Sequence, residues 1–395
     1  MKKLTLFLLS MTYSVSIFAV DFPGEFSGEF SATHRVYPQE GLFENNERHD
    51  TTMVFKPQYT VSGFQDRTVF SMTPYIRVSE LDESRNQYDL RELSIVSNLG
   101  FVDIRAGISK VFWGVTESFH LVDVINQTDW VDNPSGESKL GQPMINSILV
   151  TKLGNFEVFV LPYFRERTFP GSQGRLRGIL PISNDARYLH EDGQEHIDFA
   201  FRWAHYIGPL DWAFSYFEGT DRDPSFELNA QTGTLHPVYG QTRQLSAETQ
   251  VIIDNWIFKA ELLGKDSDFY DTYLASVTGV EYTFVNMFSR MDYGIIYEWL
   301  YDERGDQNPT GLSNTSFVGS RIAFNDAEST QIIAGVFIDN DKKDVSFGRL
   351  EASSRLSESM SWTLELNIVV EPAQSSFYSQ MKRDDYVQFG VSYFY

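Results

Sequence analysis

The sequence predicts an all-β protein, a single transmembrane antiparallel β-barrel of 18 strands, with 16 as the alternative count. Three observations lead to this fold class. Polar and apolar residues alternate with period two in segments of about ten residues from Glu25 onward. Short and long connections follow one another in turn. The last segment, residues 386–395, alternates up to its final aromatic residue.

The alternation separates each strand into a lipid-compatible face and a water-compatible face. The clearest example covers residues 256–262, where the apolar positions are Trp256, Phe258, Ala260 and Leu262, and the charged positions are Lys259 and Glu261. Similar patterns occur at 197–204, 292–299 and 362–368. A helix would repeat at 3.6 residues and a buried strand would be apolar on both faces, so neither explains these segments.

The connections predict short turns at one end of the barrel and long loops at the other. Eight short turns are expected at 63–66, 98–100, 153–155, 208–210, 254–255, 285–287, 325–329 and 356–360. Nine longer connections are expected at 38–50, 80–87, 114–141, 165–195, 218–241, 264–270, 302–313, 339–343 and 371–384. Eight and nine connections join 18 strands.

Composition excludes several classes of protein. The 395 residues include 54 acidic and 32 basic side chains, a net charge of −22, and no cysteine. Disulfide scaffolds, cysteine metal sites and thiol nucleophiles are therefore excluded. A nucleic-acid-binding role is not expected, because phosphate backbones are bound by clustered Lys and Arg.

No enzyme activity, cofactor or metal site is expected from the motifs. His196 and Asp198 would share one face of a strand, but no nucleophile accompanies them and no G-x-S-x-G occurs. The acidic loop residues lack the spacing of a calcium loop.

The first residues predict export. A charged start, Met1 to Lys3, precedes an apolar run and a small residue at Ala19. This pattern predicts a signal peptide over residues 1–19, followed by the barrel over 20–395.

The final strand resembles the C-terminal strand by which the outer-membrane assembly machinery recognises its barrel clients. That resemblance implies the outer membrane of a Gram-negative bacterium, with the assembly machinery binding the strand that ends at Tyr395. Outer-membrane lipid and lipopolysaccharide are the other expected partners. The sequence leaves open whether three copies assemble as a homotrimer.

Residues 102–130 contain a further pattern, R-x-G at 105–107, W-G at 113–114 and D-x-I-N-x-x-D at 123–129. It resembles a largely uncharacterised family of Gram-negative outer-membrane porin-like β-barrels. Members typically carry Pro after the Asn, where this chain has Gln127. The resemblance implies a barrel and is compatible with porins and with exporters of lipids or hydrophobic compounds.

A barrel of this size encloses water, so charged residues on the inner face are candidate pore residues. The connection 114–141 is too polar for lipid and too long for a hairpin. It is expected to fold inward, placing Glu117, Asp123, Asp129 and Asp132 opposite basic wall residues such as Arg105 and Arg202; an external cap is the alternative. The candidate pore set comprises Arg105, Glu117, Asp123, Asp129, Asp132, Arg202, Lys259, Glu298 and Arg349.

Five arginines between 165 and 187 predict a basic rim, facing either anionic solutes or lipopolysaccharide phosphates. Aromatic residues near the strand ends predict interfacial girdles. Together these features predict a channel for passive diffusion of small hydrophilic solutes. The alternatives are a facilitator of hydrophobic or lipid-like cargo with periplasmic and inner-membrane partners, or a surface receptor or adhesin.

Overall fold

The computed structural model is a closed antiparallel β-barrel of 18 strands. It describes residues 24–43, 46–63, 67–133, 136–287, 290–372, 374 and 377–395. The predicted signal peptide, residues 1–19, lies outside the described residues.

Twenty-one strands are present in the described chain, of which eighteen form the barrel. The barrel strands are β1 (Glu25–Val36), β2 (His49–Gly63), β3 (Thr68–Ser79), β4 (Gln87–Asn98), β5 (Val102–Ser109), β6 (Gln142–Thr151), β7 (Gly154–Leu161), β9 (Asp198–Ile207), β10 (Leu210–Thr220), β13 (Gln241–Ile253), β14 (Trp256–Ser267), β15 (Tyr270–Met287), β16 (Met291–Asp302), β17 (Asn314–Ala323), β18 (Gln331–Asp339), β19 (Asp344–Ser357), β20 (Met360–Val369) and β21 (Tyr386–Phe394). A separate small sheet contains β8 (Arg187–Tyr188), β11 (Ser225–Asn229) and β12 (Thr234–Tyr239).

Each barrel strand pairs with its two neighbours in chain order, and β1 pairs with β21 to close the cylinder. The closing ladder runs from Glu29 opposite Phe394 to Val36 opposite Val387. Closure is required in hydrocarbon, because an open sheet would leave edge N–H and C=O groups without partners. The predicted count of 18 strands is confirmed, and the alternative count of 16 is wrong.

Short connections lie at one end of the barrel, here called the turn end, and longer ones at the other, the loop end. Several predicted boundaries are wrong, two of them at the ends of β14 and β15. The connection predicted at 264–270 begins too early: β14 continues to Ser267, because the ladder with β15 runs past Gly264. The turn predicted at 285–287 lies within β15, whose pairing with β16 resumes after a bulge at Met287.

The two faces of the barrel differ as the alternation predicts. Leu245 and Leu262 are neighbouring, exposed residues on the outer face, whereas Lys259 and Glu261 are on the inner face. Exposed aromatic side chains lie near both ends of the outer face, including Trp256 and Tyr393 at the turn end and Trp299 and Tyr301 at the loop end. This placement is typical of interfacial girdles.

Helical structure in the described residues is limited to four short 3-10 segments, Glu83–Arg85, Gly193–Glu195, Gly305–Gln307 and Phe377–Met381. None of the helices in this part of the chain is long and apolar enough to cross a membrane.

A pair of arginine substitutions tests the assignment of the two faces. Leu262→Arg places a charge on the outer face and should lower the free energy of unfolding in bilayers by about 2–4 kcal/mol. Thr363→Arg places the same charge on the inner face, where the side chain is exposed to the lumen, and should have little effect. Equal losses in denaturant titrations of the two reconstituted variants would contradict the assignment.

Candidate functional site

The connection between β5 and β6, residues 110–141, is called the inner loop. It leaves the barrel wall earlier than the sequence predicts: β5 ends at Ser109, so the W-G pair at 113–114 belongs to the loop and not to the strand. Gly107 precedes this exit with φ +128°, and a Cβ there would lie 2.1 Å from the carbonyl oxygen of Leu93. Glycine therefore allows β5 to approach β4 closely where the chain turns inward.

The side chain of Asn126 joins the two ends of the inner loop. Its amide donates to the carbonyl oxygens of Ser109 and Leu140, each at 2.9 Å. Its oxygen accepts a hydrogen bond from the Val111 backbone N–H, also at 2.9 Å. These bonds satisfy buried backbone groups that have left the β-ladder.

Apolar residues of the inner loop pack against the inner face of one side of the barrel. Trp113 meets Phe159 of β7 edge to face, with 5.6 Å between the ring centroids. The complete buried cluster comprises Trp113, Val122, Val124 and Ile125 from the loop with Met144, Phe159, Leu161, Ala200 and Phe217 from β6, β7, β9 and β10. Burial of such side chains contributes about 1.5–3 kcal/mol each.

A second group of apolar residues docks on a different part of the wall. Phe119 and Leu121 pack against a cluster formed by Val277, Ile296, Leu300 and Phe317 of β15, β16 and β17. The inner loop leaves the wall at β5 and reaches β15–β17, seven to nine strands away around the ring of 18, so it crosses the lumen.

Two wall carboxylates bind the backbone of the crossing segment. Glu261 of β14 is 0% exposed and accepts hydrogen bonds from the N–H groups of Val115, Thr116 and Val122 at 2.7, 3.0 and 3.2 Å. Glu298 of β16, 1% exposed, accepts from the N–H groups of Glu117 and Ser118, both at 2.7 Å. Carboxylate acceptors form stronger hydrogen bonds than neutral ones, which favours this path for the loop.

The far part of the inner loop is held by buried arginines. Asp129 accepts from Arg77 of β3 at 3.1 Å and from Arg91 of β4. Arg77 also pairs with Asp132 at 2.9 Å. Burial raises the pKa of Asp132, but Arg77 and the Ser138 hydroxyl outweigh it and hold the pKa at about 2. Asp132 therefore stays ionised at neutral pH.

Gln127 occupies the position at which the resemblance noted above expects proline. Its side-chain amide donates to the carbonyl oxygen of Arg222 at 3.0 Å, and its side-chain oxygen accepts from the Thr128 N–H at 2.9 Å. The residue thereby links the inner loop to the connection that follows β10.

The predicted pore residues lie on the inner face or in the inner loop. Glu117, Asp129 and Asp132 pair with basic wall residues as expected, but these are not Arg105 and Arg202. Glu117 pairs with Arg321, and Asp123 pairs with Lys139, so neither faces Arg105 or Arg202 in an ion pair. The remaining pairs are Arg202 with Glu157 and Glu248, Lys259 with Glu281, and Arg349 with Glu137 and Glu351. Arg105 is on the inner face opposite Asn146 and forms none of the ion pairs in the described chain.

Sequence reasoning missed Arg77, Arg91 and the inner apolar residues. A signal for the latter exists: β7 carries Phe156, Val158 and Val160 on one face and Phe159 and Leu161 on the other. Apolar residues on both faces indicate an inner surface that is covered rather than wet.

Two pockets remain beside the inner loop. The basic pocket, about 380 Å³, is lined by Arg35, Lys56, Arg85, Arg91, Lys110 and Lys139, with Glu92 and Asp132 as its carboxylates. The acidic pocket, about 440 Å³, is lined by Glu117, Glu137, Glu351 and Glu365 with Arg321. Asn133 and Gln388 line both, so the two pockets adjoin.

The basic pocket concentrates positive charge around Lys110. Partial burial there, followed by the charges of Arg91 and Lys56, lowers the pKa of Lys110. The two pockets thus present opposite charges to one interior space in a chain whose net charge is −22.

The arginines expected to form an exposed basic rim mostly bind neighbouring connections. Arg175 is buried and pairs with Asp384 at 2.6 Å, and Arg177 is buried with its guanidinium over Phe43. The remaining pairs are Arg165 with Asp89, Arg167 with Asp223 and Arg187 with Glu227. The rim prediction is wrong for Arg175 and Arg177, because Asp384 neutralises the first side chain and Phe43 covers the second.

His196 and Asp198 belong to an ion-pair network. Asp198 is buried and accepts from His196 at 2.9 Å and from Arg222 at 2.7 Å. Among the described residues, no group of three or more His, Asp or Glu side chains is placed to hold a metal ion.

No protein-family model matches the chain, and no curated protein matches its sequence significantly. Solved structures similar to it include a mutant of the Rh. blastica porin, 11% identical, covering 94% of this chain and 100% of that chain with a TM-score of 0.46. Another is OprB of Pseudomonas putida, 10% identical, covering 94% of each chain with a TM-score of 0.46. At these low identities and TM-scores, neither porin transfers a function to this chain.

Removal of one wall carboxylate tests whether hydrogen bonds to the wall fix the position of the inner loop. Glu261→Gln removes the negative charge and replaces one acceptor oxygen with an NH2 group, which is a donor and cannot accept hydrogen bonds from the N–H groups of the loop. Hydrogen exchange at Val115, Thr116 and Val122 should accelerate by about ten- to a hundredfold, the effect of losing hydrogen bonds to a charged group. Glu281→Gln is the control, since Glu281 pairs with Lys259 and Arg321. Unchanged exchange in Glu261→Gln would contradict the arrangement.

Proposed function

We propose that the protein is an outer-membrane channel of a Gram-negative bacterium through which small hydrophilic solutes diffuse passively. The observation that carries this proposal is the pair of adjoining charged pockets inside a closed barrel. A barrel of 18 strands is too wide for side chains to fill, so its interior holds water wherever the inner loop leaves space. No cofactor takes part in such a function.

The charge pattern of the pockets favours polar cargo. Solutes moving beside the inner loop meet cationic side chains on the β1–β4 side and carboxylates on the β17–β20 side. Charged side chains that line a passage set the electric field that a permeating solute experiences. The inner loop narrows the passage and, with these wall charges, sets its selectivity.

Transport of hydrophobic cargo is less well supported. That function needs an apolar track along the lumen, yet the apolar inner residues of β6, β7, β9 and β10 are buried beneath the inner loop. The surface receptor or adhesin remains the second alternative, and it differs from the channel in predicting no ion conductance.

The proposed setting follows from the same features. The outer face contacts membrane lipid, and the loop end meets lipopolysaccharide. The final strand, β21, with Tyr395 directly after it, is the segment that the assembly machinery binds. The turn end then faces the periplasm, as in barrels with short periplasmic turns.

Conductance across planar bilayers tests this function. The refolded chain should form ohmic channels with a reproducible unit conductance. Lys110→Glu in the basic pocket should shift the reversal potential in a salt gradient toward greater cation preference, because it replaces a positive charge at the passage.

Lys152→Glu is the matched control, since Lys152 is exposed in the turn between β6 and β7. The same charge change there should leave the reversal potential nearly unchanged. A folded protein that conducts no ions would contradict the channel, and equal shifts in both variants would contradict the passage beside Lys110.

A further inference from the structure

A third space lies between the inner loop and the loop end of the barrel. This loop-end cavity has a volume of about 250 Å³. It is lined by the inner loop, by the loop-end halves of β13–β16, and by the connections that follow β7, β10 and β16. It is smaller than the pockets of about 300–1,000 Å³ that hold drug-sized ligands. Its size suits a molecule with one small ring.

Every charged side chain that lines the cavity already has a partner of opposite charge. Five cations pair with aspartates at 2.6–3.2 Å: Arg167 with Asp223, Lys265 with Asp221, Arg304 with Asp302, Arg222 with Asp198, and Lys139 with Asp123. The remaining carboxylate, Glu137, pairs with Arg349 at 2.7 Å. A charged ligand would lose hydration here without gaining an unpaired counter-charge, so the cavity favours an uncharged one.

Some polar atoms in the cavity wall lack hydrogen-bond partners among the described residues. Gln244 of β13 is 3% exposed, and its side-chain amide nitrogen has no hydrogen-bond partner within the described part of the chain. The same holds for Nδ1 of His120 in the inner loop. A buried amide donor without a partner is unfavourable by about 1–3 kcal/mol unless a ligand or water completes it.

Aromatic rings supply the apolar part of the lining. Phe119, Phe169, Phe226 and Tyr273 border the cavity, and Phe169 meets Phe226 edge to face at 5.7 Å. A suitable ligand therefore combines hydroxyl groups, which both donate and accept, with C–H surfaces that pack on aromatic rings.

We infer that the loop-end cavity is a binding site for a small uncharged sugar or cyclic polyol. The cavity opens beside Asp223, whose side chain is 65% exposed, and beside the partly exposed Phe226. Glu137 lines both this cavity and the acidic pocket, and Lys139 lines both this cavity and the basic pocket. A sugar bound here would lie at the loop end of the proposed route; its role as transported solute rests on the proposed function, whereas its binding does not.

Titration calorimetry of the full-length chain, folded in detergent, tests the site with three ligands of one ring type. Glucose should bind saturably with a dissociation constant in the millimolar range. Glucuronate and glucosamine, its anionic and cationic counterparts, should bind at least fivefold more weakly, because the charges of the cavity are already paired.

Two variants locate the site. Gln244→Leu should raise the dissociation constant for glucose about two- to tenfold, the effect of one lost hydrogen bond. Phe226→Leu, in the small sheet outside the barrel wall, should also weaken binding and remains informative if Gln244→Leu fails to fold. Gln250→Leu is the control, since Gln250 lies on the same strand and face as Gln244 but toward the turn end.

Tighter binding of either charged sugar would overturn the inference, as would the absence of saturable glucose binding. Equal effects of Gln244→Leu and Gln250→Leu, or no effect of Gln244→Leu and Phe226→Leu, would also overturn it. Because calorimetry does not depend on conduction, these results are distinct from a failure to form channels in bilayers.

Discussion

The structure depends on one constraint: the backbone N–H and C=O groups of each barrel strand must form their hydrogen bonds with the neighbouring strands. Pairing at the last edge, between β1 and β21, closes eighteen strands into a cylinder whose exterior can contact lipid. A ring of this size cannot be filled by side chains alone, and the resulting lumen is what allows a long connection to fold inside. Closure of the barrel, the alternation of apolar and polar residues along its strands, and its interior pockets therefore all follow from backbone pairing in a lipid environment.

The inner loop must satisfy its own backbone once it leaves the ladder at Ser109. Asn126 does so at the base of the loop, and the carboxylates of Glu261 and Glu298 do so where the chain crosses the lumen. Apolar packing against β6, β7, β9 and β10 and against β15–β17 fixes the path of the inner loop. Arg77 and Arg91 neutralise Asp129 in the part of the loop that leads back to β6. The loop divides the interior into charged pockets and a loop-end cavity whose own charges are internally paired.

The sequence predicts the parts of this fold that depend on local pattern. Period-two alternation gives the barrel, the strand count and the face on which Lys259 or Leu262 lies. The strand ends near Gly264 and Met287 cannot be predicted from local pattern, because the length of a strand also depends on how far the neighbouring strand continues to pair with it. The partners of Glu117 and Asp123 were also missed, since Glu117 meets Arg321 across 204 residues of chain. Apolar residues on the inner face, such as Phe159, are visible in the sequence and indicate that the inner loop covers this part of the wall.

Cysteine cross-linking tests the central claim, that residues 110–141 cross the lumen of a closed barrel. The chain has no native cysteine. Glu117→Cys with Arg321→Cys joins the inner loop to β17, and Ala32→Cys with Val391→Cys joins opposite residues of the closing strands. In the folded protein in membranes, both pairs should cross-link under a short bifunctional thiol reagent and alter gel mobility. A barrel that cross-links at 32 and 391 but not at 117 and 321 would contradict the position of the inner loop, and failure at 32 and 391 would contradict closure itself.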